Sequence, residues 1–123
     1  MKSSLLNIRK CFSFESAHVL PHHVGKCSRL HGHSYRLEVV IKGPVQQLGS
    51  SAGMVMDFAE ISAIIKAEII SVLDHQYLND LIDNPTCERL VLWIIDKVQD
   101  HLPGLSEVTL WETATASATW LLI

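Results

Sequence analysis

A thiol and two imidazoles stand close together in the stretch KCSRLHGHSYRLEVVI, residues 26–41. His31 and His33 are two residues apart, so on a β-strand both rings project from the same face. His18 ends an earlier alternating run, and a hairpin would return it beside them. Three imidazoles around a common point suit Zn²⁺ and leave a fourth coordination position open. The alternative is a surface histidine pair and an unrelated core histidine.

Cys27, four residues before the first of these two histidines, leaves two roles open. It is either the fourth ligand of a closed structural metal site, or a base or nucleophile that stands beside the metal. Lys26 and Arg29 flank the thiol, and their positive charge favours the reactive thiolate. The spacing alone does not decide between the two roles.

Two further acidic positions are candidates for chemistry. Asp74 directly precedes His75, and a carboxylate that orients an imidazole suits a proton shuttle. The structural alternative is a helix C-terminus with a histidine that faces the helix dipole. Glu112 shares a strand face with Leu110, where an unpaired carboxylate is costly to bury. It is either solvated at the strand end or kept to accept N–H donors of a flat heterocycle.

The periodicity of apolar residues predicts six elements that position these side chains. Two strands, residues 8–18 and 31–41, form a hairpin. A helix capped by Asp57 ends near Asp74, and the segment HQYLNDLIDNP is predicted to be an irregular connection. A second helix, capped by Thr86, precedes two more strands. The order strand-strand-helix-helix-strand-strand predicts one α+β domain, with both helices on one face of an antiparallel sheet.

Composition narrows the classes of function. The chain has 10 Lys and Arg against 13 Asp and Glu, a net charge of −3, and no block of like charge that would favour nucleic acid or a membrane surface. Three cysteines, Cys11, Cys27 and Cys87, are too few for a disulfide framework. The N-terminal segment lacks the unbroken apolar region of a signal peptide. These features predict a cytoplasmic protein with a single domain over residues 1–123.

Six motifs, in order, resemble the 6-pyruvoyl-tetrahydropterin synthase family over nearly the whole chain. They are FSFESAHVLP, KCSRLHGHSY, GMVMDF, LDHQYLN, NPTCERL and LWET. The spacing Cys-x-x-x-His-Gly-His is similar to the bacterial 6-carboxytetrahydropterin synthase branch, which feeds queuosine biosynthesis. The pyruvoyl-forming branch usually has a longer gap at this point. Arg89 departs from the family, which often has Asn there.

The resemblance implies a tunnelling fold in which trimers close an oligomeric β-barrel and pair into homohexamers. It implies Zn²⁺ on the three histidines named above. It assigns Cys27 as the residue that abstracts a proton, and Asp74 with His75 as a proton relay that is supplied across a subunit boundary.

The substrate that the resemblance implies is 7,8-dihydroneopterin triphosphate, which loses triphosphate and acetaldehyde to leave 6-carboxytetrahydropterin. Glu112 would anchor the pterin ring, with Thr86 and Glu88 nearby. Two alternatives stay open. One is the pyruvoyl-forming synthase, which eliminates triphosphate without cleaving the side chain. The other is a non-enzymatic module stabilised by zinc, in which Cys27 closes the metal site.

Overall fold

The computed structural model describes residues 4–123, so the first three residues of the N-terminal segment lie outside it. Two long strands, β1 (Leu5–His18) and β2 (His31–Pro44), form an antiparallel hairpin. They stay in register along their whole length, so the last residue of β1 lies opposite the first residue of β2. Towards the end of β1 and the start of β2, buried and exposed residues alternate, as the sequence pattern predicts. Phe14 and Tyr35, for example, are buried and stack with ring centroids 4.9 Å apart.

The sheet has five strands in the order β3-β1-β2-β4-β5. β4 (Leu105–Trp111) pairs with β2, and β5 (Ser117–Leu121) pairs with β4, both antiparallel. β3 (Gln76–Tyr77) pairs with β1 in parallel, which makes the sheet mixed. β3 lies in the segment predicted to be irregular. Two residues are too short for an alternating pattern to appear in the sequence.

The first long helix contributes its apolar stripe to the core. It consists of α1 (Phe58–Ile65), a π-helical turn (Lys66–Ile70) and a last α-helical turn, α2 (Ser71–Leu73). Asp57 caps it as predicted, because its Oδ1 accepts a hydrogen bond of 2.8 Å from the backbone N–H of Ala59. The helix ends where the sequence places its end, and the chain leaves it directly into the Asp74–His75 pair.

The second helix, α3 (Cys87–Val98), begins at the predicted cap. The Thr86 hydroxyl accepts from the backbone N–H of Arg89 at 3.2 Å. The apolar stripes of both helices join the inward side chains of the sheet in one core. Among residues 4–123, no helix combines the length and the apolar composition that a membrane crossing requires.

Candidate functional site

The hairpin register brings three imidazoles together. His18 lies opposite His31 across the two strands, and His33 follows on the same face of β2. The Nε2 atoms of His18 and His31 are 3.0 Å apart. One ring nitrogen from each of the three residues falls within 4.8 Å of the others. The structure therefore groups the three side chains that the sequence singles out.

Backbone carbonyls fix the protonation of two of these rings. His18 Nδ1 lies 2.9 Å from the carbonyl oxygen of Pro85, and His31 Nδ1 lies 2.7 Å from that of Arg29. A carbonyl oxygen only accepts, so each Nδ1 carries the hydrogen and each neutral ring presents a lone pair at Nε2. Two such lone pairs face each other across 3.0 Å. A cation between them turns this repulsive contact into ligation, so the residues fit a metal ion.

Burial keeps the rings in the form that binds metal. His18 is fully buried, and this desolvation lowers its pKa, opposed by the Pro85 carbonyl and reinforced by the neighbouring His31. Burial also lowers the pKa of His33, and the carboxylate of Glu112 acts in the opposite direction. Metal ligation requires unprotonated imidazoles, so both shifts favour it.

Glu112 places a negative charge against the three rings. It directly follows β4, and its Oε1 lies 3.5 Å from the Nε2 atoms of both His18 and His33. Ligand bonds of about 2.0–2.1 Å in a tetrahedral site put neighbouring ligand atoms about 3.3 Å apart. The carboxylate oxygen therefore lies from these two nitrogens at nearly the distance expected between two ligands of one metal ion. Its negative charge favours a cation at the centre of the three rings.

Cys27 lies near the end of the loop that joins the two strands. It sits on a single 3₁₀ turn (Lys26–Ser28) and is half-buried. Its carbonyl accepts from the backbone N–H of Leu20 at 2.9 Å, which closes the loop on itself. Among residues 4–123, the group of potential ligand atoms within 4.8 Å holds the three imidazoles and leaves out this thiol. The geometry thus disfavours a closed Cys-His₃ site.

Asp74 and His75 form a dyad beside β1. Asp74 Oδ1 lies 3.0 Å from His75 Nδ1 and accepts from the backbone N–H of Glu15 at 2.9 Å. These contacts, the Glu15 N–H foremost, lower the pKa of Asp74 and keep it ionised. The His75 ring is 79% exposed, and its backbone has a φ of +57°, which is rare for a residue with a side chain. The carboxylate therefore orients an imidazole that remains open to solvent.

An open cavity lies beside His75, along the ends of β1 and β2. It has a volume of about 720 Å³, and both His33 and His75 line it. Its other walls come from the ends of β1 and β2, including Glu15 and Ser34, whose side chains are joined by a hydrogen bond of 2.7 Å. Glu15 and Ser34 lie on the face of the sheet opposite to the three imidazoles, because neighbouring residues of a strand point to opposite sides.

The start of α3 supports the site mainly through its backbone. Thr86 uses its hydroxyl as the helix cap, and Glu88 is exposed in the first turn. Pro85, which the sequence does not single out, holds His18 through its carbonyl. Cys87 is buried and donates to the Leu110 carbonyl at 3.2 Å, and burial raises its pKa to about 11. It is therefore an inert packing residue.

A sequence profile described as 6-pyruvoyl tetrahydropterin synthase matches residues 7–121. The chain belongs to this family. The 6-carboxy-5,6,7,8-tetrahydropterin synthase of Synechocystis sp. is 45% identical over 117 residues, which cover 92% of this chain and 91% of that protein. The dihydroneopterin monophosphate aldolase of Pyrococcus furiosus is 37% identical over 103 residues, which cover 81% and 83%.

The fold of the family is also found here. The structure of Caenorhabditis elegans 6-pyruvoyl tetrahydropterin synthase aligns with a TM-score of 0.86 at 22% identity, covering 100% of this chain and 99% of that chain. The resemblance drawn from the six motifs and the predicted α+β tunnelling fold are both confirmed.

Proposed function

We propose that this chain is a zinc-dependent 6-carboxy-5,6,7,8-tetrahydropterin synthase. It converts 7,8-dihydroneopterin triphosphate and water to 6-carboxytetrahydropterin, acetaldehyde and triphosphate in queuosine biosynthesis. The observation that carries the proposal is the pair of Nε2 atoms, from His18 and His31, that lie 3.0 Å apart with a third imidazole beside them. The 45% identity to a Synechocystis protein of that name supports the choice within the family.

The proposed mechanism divides the proton transfers between two sides of the site. His18, His31 and His33 would hold Zn²⁺, which would supply a Lewis acid that acidifies a C–H of the substrate side chain. The Cys27 thiolate takes the proton from this carbon, and the His75 imidazole delivers a proton on another face. Asp74 holds the His75 ring by its Nδ1 atom and stabilises the positive charge that the ring carries before it gives up the proton.

Glu112 is proposed to anchor the pterin ring by accepting its N–H donors, with Thr86 and Glu88 nearby. The carboxylate is 23% exposed and reaches both the buried rings and solvent. A substrate bound beside the three imidazoles would replace the contacts that this carboxylate makes to His18 and His33. The same group would then be free to grip the heterocycle.

The variant Glu112→Gln tests this role. We expect KM for the pterin to rise by about tenfold or more, because a charged hydrogen bond of about 1.5–3 kcal/mol is weakened. Zinc content should stay near one ion per chain, since three imidazoles already complete the protein side of the site. Steady-state kinetics and elemental analysis measure the two quantities. Loss of zinc with an unchanged KM would instead make Glu112 a metal ligand.

Assembly into a homohexamer, a dimer of trimers, is proposed from the open edges of the sheet. β3 covers only two residues of the outer edge of β1. The other border of the sheet is β5. Exposed strand edges favour pairing with another chain, and a closed ring of subunits removes them. We further propose that the chain is a single domain over residues 1–123 and that it acts in the cytoplasm on a small molecule, without nucleic acid or membrane.

Product analysis tests the proposed reaction. Zinc-loaded protein is incubated with 7,8-dihydroneopterin triphosphate, acetaldehyde is measured with a coupled reductase, and the pterins are separated by chromatography. Acetaldehyde and 6-carboxytetrahydropterin in equal amounts are expected. A 6-pyruvoyl product without acetaldehyde would replace the proposal with the pyruvoyl-forming synthase. Activity only on dihydroneopterin monophosphate would point to an aldolase, and no turnover would leave the non-enzymatic zinc module.

A further inference from the structure

The segment that carries the relay dyad is fastened to the end of β1 at several successive points. The Ser16 hydroxyl donates to the carbonyl of Leu73, and the backbone N–H of Glu15 donates to Asp74. The pairing of β3 with β1 continues this contact at Gln76 and Tyr77. Ordinary backbone pairing stops at Tyr77, where the chain turns into a 3₁₀ helix (Leu78–Asp80).

Asn79 extends the pairing beyond that point with its side chain. Its Nδ2 donates to the carbonyl of Val19 at 2.8 Å, and its Oδ1 accepts from the backbone N–H of Val19 at 2.9 Å. One amide thus satisfies both polar groups of a single residue, as a neighbouring strand would. The contact is partly buried, which strengthens both hydrogen bonds relative to solvent-exposed ones.

The end of β1 to which this segment is fastened also carries His18, one of the three histidines. Residues 15–18 of β1 pair on their other side with residues 31–34 of β2. β1 therefore lies between the segment that carries His75 and the two histidines of β2. His75 itself has a φ of +57°. A residue with a side chain keeps such a conformation only where its surroundings impose it.

We infer that Asn79 is a positioning residue: its two hydrogen bonds to Val19 hold the segment that carries His75 in place along the end of β1. The inference rests on the proposed role of His75 as the proton relay. Contacts on the N-terminal side of His75 come from Asp74 and from the backbone of Glu15. On its C-terminal side the two-residue β3 is short, and Asn79 secures the segment immediately after it.

The variants Asn79→Ala and Asn79→Asp test the inference by kinetics. Alanine removes both hydrogen bonds, whereas aspartate keeps an acceptor for the Val19 N–H and loses the donor. A displacement of about 1 Å in a catalytic group can cost about 10²-fold in rate. We expect kcat to fall by about 10- to 100-fold in Asn79→Ala and by less in Asn79→Asp. KM and zinc content should stay within about twofold of wild type.

Ser106→Ala is the matched control. It removes another partly buried hydrogen bond from a side chain to a backbone carbonyl, 3.2 Å long, between Ser106 and Val40. If the hydrogen bonds of Asn79 were purely structural, Asn79→Ala and Ser106→Ala would both lower stability, and both would leave kcat of the folded, zinc-loaded protein unchanged. Wild-type kcat in Asn79→Ala would overturn the inference, and so would a loss of activity that only follows loss of zinc.

Hydrogen–deuterium exchange measured by mass spectrometry gives a readout that does not need the reaction. In Asn79→Ala the peptide that contains residues 75–79 should exchange faster, and the peptide that contains His31 and His33 should be unchanged. Unaltered exchange at residues 75–79 would show that the two hydrogen bonds of Asn79 do not hold this segment, and it would overturn the inference. If wild-type protein fails to turn over the pterin, the proposed function fails. The exchange experiment still shows whether Asn79 holds the segment that carries His75.

Discussion

Replacing Cys27 with alanine is expected to leave zinc content and the thermal unfolding profile unchanged while the chemical step collapses. The thiol lies outside the group of three imidazoles, so its removal takes no ligand away. It lies in the 3₁₀ turn Lys26–Ser28, which contains no buried residue, so the packing of the protein should be little affected. Loss of a positioned base costs about 10²–10⁴ in rate. A single-turnover assay on zinc-loaded protein measures this deficit.

Cys11→Ala is the matched control for this experiment. Cys11 is an exposed thiol in the middle of β1, remote from the end of the strand that carries His18. Its replacement should preserve the rate, which excludes a general effect of removing a thiol. A Cys27→Ala protein that loses its zinc, together with stability and activity, would instead make Cys27 a metal ligand. The site would then be a closed structural metal site.

Replacing His31 with alanine is expected to abolish tight zinc binding, and activity with it. The change removes one of two imidazoles whose Nε2 atoms are 3.0 Å apart. It also removes the ring whose Nδ1 hydrogen is fixed by the Arg29 carbonyl. Two imidazoles with water in the remaining positions form a poor Zn²⁺ site. After dialysis against a weak chelator, the zinc content measured by elemental analysis should therefore be about one ion per chain in the wild type and nearly none in the variant.

His101→Ala is the control for this second variant. His101 is exposed, and it follows α3 at the far end of that helix from the Pro85 carbonyl. Its replacement should leave zinc content unchanged. Full retention of zinc by His31→Ala would remove this histidine, and the proposed set of three, from the metal site. Comparing the two variants separates ligation from a general response to losing a histidine.

The elements that position the site were predictable where the pattern was long. β1 and β2 alternate over many residues, so the sequence indicates both their faces and the convergence of His18 with His31. The caps at Asp57 and Thr86 have short polar side chains whose preference for helix starts is strong. The two-residue β3 and the π-helical turn Lys66–Ile70 have no periodic signal of their own. They depend on contacts that form only in the folded chain.

The parts of the site that sequence reasoning missed are backbone groups and side chains that act on backbone. The carbonyls of Pro85 and Arg29 fix two ring tautomers. A carbonyl is present at every residue, so no residue type marks the one that matters. Asn79 belongs to the motif LDHQYLN, but its partner Val19 is 60 residues away in sequence. Such a pairing becomes visible only when the fold brings the two segments together.

The loop between β1 and β2, residues 19–30, has a consequence for how the hairpin keeps its alignment. Short turns dictate which residues of two strands face each other, but a connection of this length does not. A slip by one residue would carry every side chain of one strand to the opposite face. A metal ion shared by His18 on one strand and by His31 and His33 on the other would act as a reversible cross-link between the strands. Removing it should loosen the alignment at this end of the hairpin first, while the buried far stretch of β2 holds the sheet together.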